Sequence, residues 1–381
     1  MKKITILSLH LGTGGAEQAI ASLSNILINQ NEVEIVSVYK LQEKPAFYID
    51  PRVKITYLTE NIHPNGAEFK KAVKAKNIVN IFKEGIKSLR ILYLRKKLMI
   101  QAIKNCDADI IISTRVLFSN WLGKYGKSSS IKIAQEHNHH NFNEKVIKKT
   151  VKSLDKIDYF MPVSKELTDF YDKLLKDKKT KCVYIPHCLD YFPNEDELSK
   201  LENKRIISAG RLSKEKGFLD LIDVFKLVYD FDDSLKFDIV GDGEERQAIL
   251  DKIHDLGMEN AVTVHGFKNK KELGELYRNS DLYVMTSFTE SFGLVLVEAE
   301  SYGLPILAFD SAQGAKEIIV NDENGYLIKN RSREIMSKKI LELVENLELR
   351  RQLGRAGRKL AEKYKIDNVS KEWEEFISNI G

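Results

Sequence analysis

The sequence predicts an α/β protein made of two doubly wound parallel sheets. Short apolar runs recur along the chain, each followed by a polar or Gly-containing loop and then a helical stretch. The series starts near Ile4 and restarts near Ile206. At 381 residues the chain is also about twice as long as a single hydrophobic core supports.

In the first half, Ile4 to Leu9 is an apolar strand, Gly12 to Gly15 a turn, Ala16 to Ile28 a helix and Val33 to Tyr39 the next strand. This is a βαβ unit. Further strands are predicted at Ile110 to Ser113, Ile131 to Gln135, Tyr159 to Val163 and Val183 to Ile185. The second series runs through Ile206 to Ala209, Phe237 to Val240, Val262 to Val264, Leu282 to Met285 and Ile306 to Phe309. Tyr191 to Lys204, with Pro193, Asn194 and a run of acids, has no apolar periodicity and is predicted to be the linker. Helices are expected from Ser332 to Ile380.

Composition narrows the function classes. Hydrophobic residues at 43% and charged residues at 30% exclude collagen-like, low-complexity and disordered chains. The longest apolar runs fall far short of the roughly 20 residues needed to cross a bilayer. Met1-Lys2-Lys3 and the apolar stretch after it resemble a signal peptide, but His10 and Gly12 interrupt it and no small-x-small site follows. Cys106, Cys182 and Cys188 lack metal spacing and fit a reduced, cytoplasmic compartment. A net charge of +5 is too small to imply nucleic acid.

Ligands of doubly wound sheets bind beyond the carboxyl ends of the strands, so residues following strands carry the functional reading. Gly12-Thr13-Gly14-Gly15-Ala16-Glu17 opens a helix, and its amides could cradle a phosphate or a sugar hydroxyl. It fails as a dinucleotide fingerprint because Glu17 stands where a third glycine is needed; the plainer reading is a tight turn needing positive φ. Arg211 and Lys216, in the loop from Gly210 to Gly217, are the usual pair for neutralising a diphosphate. Glu290-Ser291-Phe292-Gly293-Leu294 precedes an amphipathic helix containing Glu298. Eight helical steps span at most about 12 Å, with one carboxylate at the helix mouth and the other about two turns in. That spread suits a nucleotide sugar, its diphosphate on the helix N-terminus, Glu290 on sugar hydroxyls and Glu298 on the ribose diol.

Glu136-His137-Asn138-His139-His140 ends a strand of the first series. No spaced carboxylate or cysteine completes a zinc site, so a histidine lining a cleft, His137 foremost, is the better reading. Asp107 and Asp109 precede their strand and face away from the ligand edge. Gly241-Asp242-Gly243 is a strand-to-helix turn that approaches a ligand, if at all, through backbone. Phe69 to Lys104 is basic, with Ile78, Phe82, Ile86, Leu89 and Tyr93 on one helical face. Two readings compete, a core-packed helix with a charged outer face and a surface that lies on anionic lipid, with the packed helix slightly favoured.

Taken together, Gly14-Gly15-Ala16-Glu17, Ile185-Pro186-His187-Cys188-Leu189-Asp190, Gly210-Arg211 with Lys216-Gly217, Glu290 to Glu298, Gly303-Leu304-Pro305 and Asn324-Gly325 resemble the retaining glycosyltransferases of family 4. The resemblance spans nearly the whole chain. It implies the GT-B fold, two facing Rossmann-like domains: an acceptor-binding domain over 1–190, a nucleotide-sugar-binding domain over 191–365, and a helix over 366–381 packing back toward the first. It assigns the donor to Gly15, Gly210, Arg211, Lys216, Gly241, Gly266, Phe267, Glu290, Ser291, Phe292, Gly293, Leu294 and Glu298. The acceptor falls to Gly14, Gly15, His137 and His139, and the chemistry to His137, Arg211, Lys216 and Glu290. His187-Cys188 departs from the family's more usual Asn-Gly.

By this resemblance a hexose or N-acetylhexosamine passes from a nucleotide sugar, UDP being favoured by frequency, to a hydroxyl of a glycan or lipid-linked acceptor. The setting implied is bacterial surface polysaccharide or glycolipid synthesis, with the enzyme in the cytoplasm or peripheral on the inner face of the plasma membrane. No metal or other cofactor is implied. The alternatives are a nucleotide-sugar epimerase or hydrolase on the same fold and a catalytically silent partner subunit.

Overall fold

A computed structural model describes residues 1–380. The chain divides into two compact units, Met1–Ile185 with Ser370–Gly381 and Pro186–Val369. The first contains, in order, β1 (Lys3–Ser8), α1 (Gly15–Leu27), β2 (Glu32–Tyr39), β3 (Lys54–Thr59), α2 (Gly66–Lys74), α3 (Ile78–Asn105), β4 (Ile110–Ser113), α4 (Val116–Tyr125), β5 (Ile131–Glu136), α5 (Glu144–Ser153), β6 (Tyr159–Pro162), α6 (Lys165–Leu175) and β7 (Lys181–Cys182). Its seven strands are parallel, ordered β3-β2-β1-β4-β5-β6-β7. Central strands buried on both faces need unbroken apolar runs. Ile4, Ile6, Ile35, Ile110, Ile111, Ile112 and Ile133 are all buried accordingly.

The second unit contains β8 (Arg205–Ala209), α7 (Phe218–Tyr229), β9 (Lys236–Val240), α8 (Arg246–Asp255), β10 (Val262–Val264), α9 (Lys270–Arg278), β11 (Leu282–Met285), α10 (Leu294–Ser301), β12 (Ile306–Phe309), α11 (Ala315–Ile318), β13 (Gly325–Ile328), α12 (Arg333–Glu345) and α13 (Leu347–Ala361). Its six strands are ordered β10-β9-β8-β11-β12-β13, again parallel. Phe225 of α7 stacks on Phe237 of β9 at 4.3 Å within a core that also takes in Leu221, Val284, Leu307 and Met336. Both sheets reverse strand order once, between β1 and β4 and between β8 and β11. Crossovers run in opposite directions from those points and leave a crevice there.

The final helix, α14 (Ile366–Asn379), contributes its residues from Ser370 onward to the first unit. Phe376 meets Tyr159 edge-on at 5.1 Å, and Lys2 Nζ donates to the carbonyls of Ile377 (2.8 Å) and Ile380 (2.6 Å). No described helix is long and apolar enough to cross a membrane. All three cysteines are free thiols.

Four expectations need correction. The strand predicted at Val183 to Ile185 pairs instead over Lys181–Cys182. Val183 N still donates to the Phe160 carbonyl, but the next donor due on β6 is Pro162, which has no N–H. The Tyr191 to Lys204 segment is no free linker. Leu201 is buried, its carbonyl takes the Arg350 guanidinium at 2.7 Å, and Arg358 Nη2 donates to the Pro193 carbonyl at 2.9 Å. Two edge strands, β3 and β13, were not predicted. β13 opens on Gly325, a residue that signals a turn; here a Cβ would lie 1.9 Å from the Ile306 carbonyl oxygen, so only glycine permits the pairing with β12.

Candidate functional site

The densest cluster of candidates lies at the switch point of the second sheet. The loop carrying Arg211 and Lys216 follows β8; the loop carrying Glu290 follows β11; the two strands are neighbours. Lys216 Nζ and a Glu290 carboxylate oxygen form an ion pair in short contact. Both are mostly covered, so the pairing is less screened than on an open surface. Arg211 stays exposed, its carbonyl accepting from Ser213 N at 2.8 Å and its charge adding to the Ser213 side-chain hydrogen bond that holds the Glu215 carboxyl below its ordinary range.

The backbone bolts these loops together. Phe288 N donates to the Glu215 carbonyl (2.8 Å), and Thr286 Oγ1 donates to the Gly217 carbonyl (2.9 Å). Gly217 sits at φ 66° with its ideal Cβ position 2.4 Å from the Thr286 carbonyl oxygen, which explains glycine there. Sequence reasoning missed Arg331, which braces the same loop. Its guanidinium donates to the carbonyls of Thr286 (2.9 Å) and Ser287 (3.0 Å), pairs with Asp220 at 2.6 Å, and lies 3.6 Å from the Phe288 ring centroid. Its signal in sequence was weak, because it follows the unpredicted β13.

Gly293, at φ 93° and ψ 45°, is the N-cap of α10, and no side chain caps that helix end. The amides of its first turn are oriented as an anion site requires. Glu290 precedes the cap, and its carbonyl accepts from Gly314 N at 2.9 Å. Glu298 is the fifth residue of α10, hence one turn in rather than two. Its charge acts on Lys270, which pairs with Asp190 and whose pKa burial lowers against the opposing pull of Glu298. Neither Lys270 nor Asp190 was singled out as a contact. A lysine opening a helix and an aspartate before a linker carry no signal until the fold brings them together.

Other predicted donor contacts fare unevenly. Phe292 is 3% exposed, its ring edge-on to His187 and Tyr364, each at 5.5 Å, so its side chain offers nothing to a ligand. Gly241 has a packing reason, since a Cβ there would lie 1.8 Å from the Gly210 carbonyl oxygen. Gly266 and exposed Phe267 follow β10, two strands from the switch. Ser291 and Leu294 flank the Gly293 cap and are half-buried.

Burial lowers the His187 imidazole to about 4 from 6.5. The unfolded chain then takes up the proton first, so the stability His187 contributes is complete above pH 6.5 and is lost as pH falls toward 4. Denaturant titrations of wild type and His187→Gln at neutral pH and at about pH 5 should show the wild type losing more stability than the variant. Parallel losses would contradict this.

In the first unit the switch point lies between β1 and β4. Gly12 to Glu17 follows β1, and Arg115, which sequence reasoning did not single out, follows β4. Arg115 Nη2 donates to buried Glu17 at 2.8 Å, and His10 Nδ1 lies 3.6 Å from the same carboxylate oxygen. The reading of this loop as a positive-φ turn fails, because none of Gly12, Gly14 and Gly15 is in the left-handed region. A Cβ on Gly14 would strike Glu17 Oε2, whereas one on Gly15 meets nothing within 4 Å. Gly15 is therefore glycine for no internal reason. Gly15→Ala should leave the melting temperature within about 2 °C of wild type while lowering kcat/KM; equal turnover would release this amide from the site.

His137 directly follows β5 and is half-buried. Beside it Glu136 accepts from Asn138 N at 3.0 Å, and burial pushes its carboxyl up. His139 corrects an expectation. Its side chain is 2% exposed and packs against His140 (4.7 Å) and Phe142 (5.7 Å), with Nδ1 accepting from Asn141 N at 2.8 Å, so it supports the loop from within and presents no face to an acceptor. Among the described residues no three His, Cys, Asp or Glu gather as metal ligands.

Two cations, two carboxylates and the helix N-terminus of α10, which no side chain caps, thus gather around the switch point of the second sheet, where ligands of doubly wound sheets bind. The comparisons narrow this. Residues 193–360, the segment that carries the candidate site, match the family described as glycosyl transferases group 1. Over 98% of this chain and 99% of its own length, an uncharacterized glycosyltransferase of Haemophilus influenzae is 27% identical. At 25% identity, over 100% of this chain and 99% of that one, the chain is similar to the Campylobacter jejuni GalNAc-alpha-(1->4)-GalNAc-alpha-(1->3)-diNAcBac-PP-undecaprenol alpha-1,4-N-acetyl-D-galactosaminyltransferase. Among solved structures, S. aureus TarM in complex with Fondaparinux, alpha-GlcNAc-glycerol and UDP superposes with a TM-score of 0.75 at 17% identity, covering 98% of this chain and 99% of TarM. The fold is GT-B, and the chain is a glycosyltransferase.

Proposed function

We propose that this glycosyltransferase moves a hexose or N-acetylhexosamine from a UDP-sugar to a hydroxyl of a glycan or lipid-linked acceptor, with retention of anomeric configuration and without a metal. The observation that carries this reading is the Lys216–Glu290 pair at the β8/β11 switch, with Arg211 exposed in the loop that carries Lys216 and the N-terminus of α10 following the loop that carries Glu290. In bond terms, the C1–O bond to the β-phosphate breaks and its electron pair goes to the diphosphate. Arg211, Lys216 and the α10 amides supply the positive potential that receives it. The acceptor oxygen bonds to C1 on the face the diphosphate leaves, and its proton passes to a phosphate oxygen. Glu290 orients the sugar through its hydroxyls, and Glu298 holds the ribose diol. The family resemblance gives His137 a part in the chemistry and assigns Gly14 and Gly15 to the acceptor.

The nucleotide is supported by UDP in the TarM complex, and the acceptor class by the undecaprenol-linked glycan in the Campylobacter enzyme's name. The Campylobacter enzyme's name also supports bacterial surface polysaccharide or glycolipid synthesis as the setting of this proposed reaction. The test is the anomeric configuration of the product by NMR, with and without EDTA. An axial donor linkage should yield an axial product at an unchanged rate. An inverted product, or a covalently trapped glycosyl-enzyme, would overturn the mechanism.

A further inference from the structure

The packed-helix reading of the basic segment does not survive in the structure. α3 buries Ile91, Met99 and Ile103, but its first four turns are covered only along the side facing α2, where Asn65 Nδ2 donates to Glu84 Oε2 at 2.8 Å and Ser88 Oγ donates to Asn65 Oδ1 at 2.9 Å. The apolar stripe spaced four, four, three and four residues apart faces out instead: Ile78 is 81% exposed, Phe82 71%, Ile86 54%, Leu89 69% and Tyr93 63%. Residues at that spacing share one side of a helix.

Exposed Lys83, Lys87 and Arg90 border this stripe, and exposed Lys96 and Lys97 close its C-terminal end. Over residues 66–97 there are ten Lys or Arg against two acids, and one of those acids, Glu84, is taken up by Asn65. We infer that the stripe from Ile78 to Tyr93 docks α3 in the plane of an anionic lipid surface. Phe82, Ile86, Leu89 and Tyr93 would enter the boundary between headgroups and acyl chains, while the bordering cations meet lipid phosphates. Charge selects this occupant over a second copy of the chain, since a two-fold pairing on this face would bring its cations against one another. The inference stands on the first unit alone and is independent of the donor reading.

The full chain would be mixed with vesicles of phosphatidylcholine, with and without phosphatidylglycerol, and sedimented. Binding should be roughly tenfold or more stronger to the anionic vesicles and weaken with salt. Phe82→Ser with Leu89→Ser should abolish binding. Lys83→Glu with Lys87→Glu and Arg90→Glu should remove the preference for anionic lipid. These side chains are exposed, so both variants should keep the wild-type melting temperature and its shift with UDP, which separates a failure here from a failure of the donor site. Equal binding to both vesicle types, no binding to either, or variants that bind like wild type would overturn the inference. So would light scattering that shows a dimer dissociated by Phe82→Ser with Leu89→Ser, which would make the partner a second copy.

Discussion

Lys216→Ala should lower kcat by about 10²- to 10³-fold, the range for removing one group that receives charge developing in a transition state. Lys216 is already held by Glu290 before any donor binds, so its position needs no reorganisation. The fold should tolerate the change: Lys216 is partly exposed, at the end of a 3-10 turn whose backbone contacts do not involve its side chain. Lys216→Arg should not rescue fully, because a planar fork cannot take the place of a point charge facing one carboxylate. Steady-state kinetics beside a thermal melt checks this. Wild-type turnover in Lys216→Ala would remove the residue from the chemistry, and a collapsed melt would make it structural.

Gly314→Ala should be nearly as damaging while touching no ligand. A Cβ at Gly314 would lie 2.2 Å from the Phe292 carbonyl oxygen and 2.4 Å from its carbon, and Gly314 N holds the Glu290 carbonyl. Backbone cannot swing aside like a side chain, so the Glu290 to Gly293 loop must shift. A displacement of an ångström at a site can cost about 10²-fold, and the overpacking itself about 1–3 kcal/mol. The control is Gly66→Ala, where a Cβ meets nothing. A fall in kcat/KM and in melting temperature for Gly314→Ala, with neither in Gly66→Ala, is expected. An active, stable Gly314→Ala would mean that the loop is not positioned by this contact.

The sequence showed the central strands plainly because burial on both faces demands continuous apolar runs, and Ile110 to Ser113 or Phe237 to Val240 could be little else. It was weakest at the sheet edges. β3 is half-exposed along its length, and β13 begins with a glycine that imitates a turn. The loops after β8 and β11 could be found without the structure because strand ends in such sheets face ligands, and Arg, Lys and Glu at strand ends are distinctive. What holds those loops was not legible. Arg331, Lys270 and Arg115 reach their partners, Asp220, Asp190 and Glu17, across 80 to 111 residues of sequence, and no local pattern marks such pairs. His139 and Phe292 erred the other way. Each sits within a functional-looking motif, but only packing reveals that its side chain turns inward. The exposed stripe on α3 shows the same limit, since helical periodicity gives an apolar face without saying what covers it.

The measurement that tests the central claim most directly is thermal stabilisation of the full chain by UDP, other nucleotides and a panel of nucleotide sugars, each with and without EDTA. A ligand at a hundred times its dissociation constant adds about 2.7 kcal/mol to the folded state. A selective rise with UDP and one UDP-sugar, unaltered by EDTA and absent from Lys216→Ala, is the expected result. Equal melting temperatures across the whole panel would contradict a donor site at the β8/β11 switch, and a rise abolished by EDTA would contradict metal-independent binding.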